Sequence, residues 1–239
     1  MKQTIILRPH ESRQAREGEV CVVRAATRVP PEATRAARYA LMPPSGDGTH
    51  EEWWWASETS PMLSRADCPY GPVGTVLGVR ETWRAVMYDY QSQIEYASGS
   101  PALDVPPASF DELVKLDKLA LRFRGAKKER HSEAWRSPAT MPSWAIRTHL
   151  RVESVRVCRV QGVTEDEAML VGMVCGDETW HQGPNGAYRA DKHGWYVGHV
   201  RHNAPTHAFR STWDRTAKPG LEWGDDPWVW VGMMRRCEG

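Results

Sequence analysis

The stretch Cys68-Pro69-Tyr70-Gly71-Pro72-Val73-Gly74-Thr75-Val76-Leu77-Gly78-Val79-Arg80-Glu81-Thr82-Trp83 reads as a turn running into a β-strand that ends on a charged pair. Pro69, Gly71, Pro72 and Gly74 punctuate the turn. Val76, Leu77 and Val79 form a short apolar run with a β-branched bias, the pattern of a buried strand. Arg80 and Glu81 at its far end, beside Thr82 and Trp83, are either an exposed structural ion pair or a pair that faces a ligand.

Working outward from this stretch, Thr4–Leu7 reads as a short first strand, and Glu11–Glu17 as a short helix stopped by Gly18. Val20–Arg24 is apolar and β-branched, a second strand. Residues 30–62 carry Pro31, Pro43, Pro44, Gly46 and Gly48 and read mostly as loop. Within them Trp53-Trp54-Trp55 cannot all point one way if extended, because alternate side chains leave on opposite faces. Those tryptophans form either a hairpin strand covering a barrel mouth or a base-stacking platform.

Beyond Trp83, Tyr88 to Gly99 alternates loosely and suggests a hairpin arm, and 111–121 has the three-and-four spacing of an amphipathic helix. Residues 122–136 are locally basic, either a solvated face or an arm that meets phosphates. Arg147–Val160 alternates polar and apolar residues, the clearest strand in the chain. Thr164 and Glu167 then form a capping box. Residues 175–207 are rich in Gly and His; His193, His199, His202 and His207 lack a ligand motif, so no metal is expected. A short helix at 208–214 and an alternating terminal strand from Asp226-Pro227-Trp228 close the chain.

With 239 residues the chain can bury a sizeable core. Lys plus Arg number 31 against 30 Asp plus Glu, which excludes binding to a polyanion by bulk charge and leaves local or single-base contacts. Five scattered cysteines without a C-x-x-C pair argue against a disulfide framework or zinc ribbon and fit a reducing cytoplasm. The apolar run at Ile5-Ile6-Leu7 is too short for a signal peptide or a membrane span, so no membrane contact is expected.

The order of these motifs, Y-G-P-V-G-T-V-L-G-V-R-E-T-W, then M-P-S-W-A-I-R at 141–147, the strand with T-E-D-E-A, A-F-R-S-T-W-D and the final D-P-W-V-W-V, resembles ASCH domain proteins over about residues 65–239. It is most similar to the longer, Trp-rich kind encoded by bacteriophages. The resemblance implies an α+β fold of the PUA-like type: one domain over 1–239, a small mixed β-barrel with peripheral helices, and insertions at about 30–65, 86–136 and 175–207. It implies a cleft for RNA, for single-stranded or modified DNA, or for a modified nucleoside, without a cofactor.

In family members that hydrolyse an acetyl amide on cytidine, a Lys, a Thr and a Glu surround the scissile bond. An ungapped register from Gly18 puts Val20 at the Lys position, Cys21 and Val23 at the Thr positions and Arg24 at the family Arg, while Glu81 matches the Glu. Val20 and Val23 offer neither nucleophile, proton relay nor oxyanion donor, so the resemblance implies a binder, RNA favoured, with Glu81 as the catalytic group only if the protein is an enzyme. Its cleft would use Trp83, Met141, Trp144 and Arg147 as wall and cation, Glu81 as base-edge acceptor, and Arg24 and Arg80 as anion partners. The alternatives are a hydrolase of a modified nucleoside or RNA, and a module that engages a host protein through its Trp-rich surface.

Overall fold

The computed structural model describes residues 3–41, 50–88, 91–99, 102–104, 135–172, 174–175, 181–183, 186–188, 195–197, 200–202 and 204–238. The chain opens with strand β1 (Thr4–Ile6) and helix α1 (Pro9–Glu17). Pro9 suits the first helical turn, where its missing N–H has no partner to lose, and Gly18 ends the helix at φ 128°, which other residues rarely adopt. Strands β2 (Glu19–Ala25), β3 (Arg35–Leu41), β4 (His50–Ala56) and β5 (Ser64–Arg65) follow. Next come β6 (Val76–Arg80), β7 (Trp83–Tyr88), β8 (Gln91–Tyr96), β9 (Leu103–Asp104) and β10 (His149–Arg159). Helix α2 (Glu165–Leu170), five short strands β11 (Val174–Cys175), β12 (His181–Gly183), β13 (Gly186–Tyr188), β14 (Trp195–Val197) and β15 (Val200–His202), helix α3 (Pro205–Thr216) and strand β16 (Trp228–Cys237) complete the order.

The fold is mixed α+β, with few helices and several sheets. The chain divides into two compact units, residues 1–17, 76–150 and 236–239 in one and 18–75 and 151–235 in the other. Among the described residues no sheet closes into the barrel that the sequence suggested. Closure needs each strand to be paired on both sides around a ring. Among the described residues β3, β4 and β5 form one open three-stranded sheet and β7, β8 and β9 another.

In the first unit β1 lies parallel to β6, with Ile5 opposite Val79. The β7–β8 hairpin, in register from Trp83 opposite Tyr96 to Tyr88 opposite Gln91, confirms the arm expected at 88–99 but begins earlier. Its inner face supplies a core of Trp83, Ala85, Ile94 and Tyr96, closed by Met141 and Ala145.

In the second unit β2 pairs antiparallel with β16 along its whole length, Glu19 opposite Arg235 through Ala25 opposite Val229. The faces of these strands pack Cys21, Val23, Val229 and Val231 against Ala168 and Val171 at α2 and Ala208, Phe209 and Trp213 of α3. The capping box forms as the sequence indicated: Thr164 Oγ1 accepts from the Glu167 N–H at 3.2 Å and Glu167 Oε2 accepts from the Thr164 N–H at 2.9 Å. Residues 30–62, expected mostly as loop, instead carry β3 and β4. Arg35–Leu41 has little β propensity of its own and is extended because β4 supplies a complete ladder from Ala56 to His50. The helix expected at 111–121, and all of the basic run but Arg136, lie outside the described residues.

Tyr70 holds the turn of the opening stretch in place. It is buried, and its hydroxyl donates to the Val22 carbonyl at 2.8 Å with the Trp230 carbonyl at 3.3 Å. Its ring lies over Gly232, where an added Cβ would meet Cδ2 at 2.7 Å and Cε2 at 2.8 Å. Gly232→Ala is therefore expected to lower the unfolding free energy by about 1–3 kcal/mol in urea titrations, through overpacking.

Glu167 supplies a second test. Burial raises its pKa, but the Arg156 guanidinium and the Thr164 N–H and hydroxyl outweigh that and hold it below the usual carboxylate range. A depressed folded pKa gives stability that is complete above the unfolded value, about 4.3, and is lost as pH falls through the folded one. Glu167→Gln should flatten that acid limb of the thermal-stability profile and leave the neutral-to-basic limb in shape.

Candidate functional site

Two arrangements of polar side chains stand out, one in each unit. The first is built where β6 ends. Successive residues of a strand leave on opposite faces, so Arg80 and Glu81 part company. Arg80 donates from Nη1 to the Ala139 carbonyl at 2.9 Å, while Glu81 turns into the unit and is only 2 % exposed. Arg147, on the segment before β10, meets it with a two-pronged contact, Nε to Oε1 at 3.1 Å and Nη2 to Oε2 at 3.2 Å. Ser98 Oγ donates to Oε2 at 2.6 Å and accepts from Arg147 Nη2 at 3.2 Å.

The surroundings fix both partners. The Arg147 guanidinium lies 3.6 Å from the centre of the Tyr96 ring, a cation–π contact that holds its plane. Tyr96 donates its hydroxyl to the Ala145 carbonyl at 2.7 Å, and burial, against a smaller opposing pull from Arg147, pushes its phenol up to about 12. Arg16 of α1 donates to the Ser98 carbonyl at 2.9 Å, and its pKa is lowered by burial first and by Arg147 second. The Glu81 N–H points at Met141 Sδ, 3.3 Å away.

Glu81, Met141 and Arg147 are thus brought together as the sequence suggested, with Trp144 half-buried against the same core. Their roles differ from that expectation. Oε2 already accepts two hydrogen bonds and Oε1 one, at a carboxylate sealed from solvent, so Glu81 is an internal anchor and does not offer itself to a base edge. Trp83 is fully buried with Arg136 stacked 5.0 Å from its ring centre, a core residue and not a cleft wall. Arg24 sits on β2 in the other unit and donates Nη1 to the Val23 carbonyl at 2.9 Å. Val20, Cys21 and Val23 are all buried on β2.

The second arrangement belongs wholly to the other unit and was read in the sequence only as one of two options for Trp53–Trp55. Trp53 and Trp55 share a face of β4 and lean on the terminal strand: Trp53 meets Trp230 edge-on at 5.3 Å, and Trp55 lies 5.9 Å from Trp228. Trp55 is buried, whereas Trp53 remains partly accessible and lines a cleft of about 230 Å³. Arg38, Glu52, Arg65 and Asp67 supply its charges, and the Cys68–Val73 turn and Val155 supply its apolar walls. Arg65 holds Glu52 at 3.3 Å, and Arg28 reaches Asp67 at 3.7 Å. Burial pushes the Cys68 thiol up, so at neutral pH it is a protonated wall atom and no nucleophile. Ligand-sized clefts commonly occupy about 300–1,000 Å³, so this one suits a single planar heterocycle.

Among the described residues no group of His, Cys, Asp and Glu is arranged to hold a metal, and no helix is long and apolar enough to cross a membrane. Comparison with protein-family models, curated proteins and solved structures yields no match.

The anchor reading of Glu81 has a measurable consequence. Arg147→Ala strands a buried carboxylate and should cost about 3–5 kcal/mol of stability. The double variant Glu81→Gln/Arg147→Met should recover much of that loss, as seen by chemical denaturation. An Arg147→Ala protein that melts like the parent would show that the pair is not structural.

Proposed function

We propose that the protein is an ASCH-type, PUA-like nucleic-acid-binding protein of the cytoplasm that takes a single base into the Trp53 cleft, with RNA the favoured ligand. The observation that carries this reading is a partly accessible tryptophan lining a one-ring cleft together with guanidinium and carboxylate side chains. Any base can stack on an aromatic face, and Arg and acidic groups supply the donors and acceptors that its edge requires. Single strands, RNA among them, are favoured over the duplex because a single-stranded or extruded base alone can enter such a cleft. Among the described residues Cys21, Cys68, Cys158 and Cys237 form no disulfide, which supports a reducing compartment.

Binding is preferred to hydrolysis on the same grounds. The carboxylate that matches the family's catalytic Glu is committed to Arg147 and Ser98, and the cleft's thiol is held protonated. Two arginines and two acids line the cleft, so its formal charge cancels and affinity should come from stacking and edge contacts more than from phosphate neutralisation.

Titration of labelled single-stranded RNA, single-stranded DNA and duplex DNA at two salt concentrations tests this. The expected order places single strands above duplex, with a shallow salt dependence, and Trp53→Ala weakens binding by about 5–150-fold, the worth of one stacked base. Absence of binding to all three below high micromolar concentrations would sink the reading. Turnover of N4-acetylcytidine or RNA that disappears in Glu81→Gln would replace it with the hydrolase.

A further inference from the structure

We infer that Arg13 and Arg16, on one face of α1, form an anion site whose ligand is a phosphate group. The inference goes beyond the base-binding reading and concerns the first unit. Residues three apart on a helix are neighbours on its surface, so the two side chains lie together. Arg13 is exposed and Arg16 half-buried. Arg16 donates from Nη2 to the Ser98 carbonyl at 2.9 Å and from Nε to the Ser12 carbonyl at 3.4 Å. These carbonyls hold the guanidinium in place, but they carry no formal charge to cancel its own.

A cation withdrawn from water is normally matched by an anion. The carboxylate at this junction is spent: Glu81 directs both its oxygens to Arg147, and neither Arg13 nor Arg16 forms an ion pair among the described residues. Ser98 brings a second guanidinium close, since its Oγ accepts from Arg147 Nη2 at 3.2 Å while its carbonyl accepts from Arg16. Burial lowers the Arg16 pKa most. Repulsion from Arg147 follows and exceeds the attraction of Glu81, and Arg13 lowers it further against a smaller pull from Glu17. The C-terminal end of α1 favours a cation, but it carries only about half an elementary charge. The charge balance at Arg16 is therefore completed by an anion from outside the chain.

The donors present favour phosphate over a simple carboxylate. A guanidinium has five N–H groups, and the two carbonyls occupy two of those on Arg16, leaving three with no acceptor among the described residues. Its planar fork matches two phosphate oxygens, and a further oxygen is left for Arg13, so both side chains can share one group. A carboxylate cancels one of the two charges, whereas a phosphate monoester, at about −2, cancels both. Arg16 is already held by its carbonyls, so little side-chain freedom is lost when the anion arrives. Arg13 supplies the adaptable half of the site.

Phosphorus NMR of inorganic phosphate, titrated with the whole chain at fixed ionic strength, tests the site, and saturable broadening of the signal is expected. Arg13→Glu alters an exposed side chain and should weaken phosphate by about tenfold or more. Arg16→Gln removes the charge, keeps an amide donor, and should weaken phosphate at least as much; if that variant does not fold, Arg13→Glu decides alone. Arg215→Ala, exposed on α3 in the other unit, controls for bulk charge and should leave the affinity within about twofold. An abasic single-stranded oligonucleotide carries phosphodiesters without bases and so cannot use the Trp53 cleft. Displacement of phosphate by that strand assigns the site to a nucleic-acid backbone, and phosphate binding without displacement assigns it to a small phosphorylated molecule. No saturable broadening, or equal broadening in the parent, Arg13→Glu and Arg16→Gln, overturns the anion site. Either result leaves the base-binding reading to the Trp53→Ala titration.

Discussion

A carboxylate withdrawn from water sets the terms for the first unit. An uncompensated buried charge costs several kcal/mol, so the burial of Glu81 is tolerable only with a fixed counter-charge and with its remaining lone pairs occupied. Arg147 meets the first requirement and Ser98 the second. Each of these partners is itself constrained: Arg147 by the Tyr96 ring, Ser98 through its carbonyl by Arg16. The pair thereby ties α1, the end of β6, the end of the β7–β8 hairpin and the segment before β10 to a single geometry. This arrangement explains why a strand that ends in Arg-Glu-Thr-Trp turns so abruptly into a hairpin, with Glu81 and Trp83 both going inward and Arg80 and Thr82 less buried.

Much of the local structure was legible because its signals are local. Pro and Gly fixed the turn before β6, Gly18 stopped α1, and the Thr164–Glu167 spacing wrote out the cap of α2. Strand β3 was not legible. Arg35-Ala36-Ala37-Arg38 carries no strand pattern, and it is the pairing with the tryptophans of β4 that extends it, a case of tertiary context overriding propensity. Glu81 and Arg147 were both singled out from the sequence, but 66 residues separate them, and nothing local says that they would neutralise each other. A resemblance carries residue identities forward without their partners, so an acceptor for a ligand and an acceptor for a neighbouring arginine look alike until the distances are known.

The same reasoning separates the tryptophans. Twelve are present, and composition alone divides them between core and surface uses without saying which is which. The alternation of a strand made it certain that Trp53, Trp54 and Trp55 would split between two faces. It could not show that Trp55 would be sealed under Trp228 and Trp230 while Trp53, two residues away on the same face, would reach the rim.

One residue of the terminal strand serves both sides of the cleft. Trp230 braces Trp53 with its ring, and its carbonyl lies 3.3 Å from the hydroxyl of Tyr70, in the turn whose other residues line the cleft. The two walls are therefore referenced to a common point rather than to each other. A single change at Trp230 would therefore reach the tryptophan and the turn of the cleft at once.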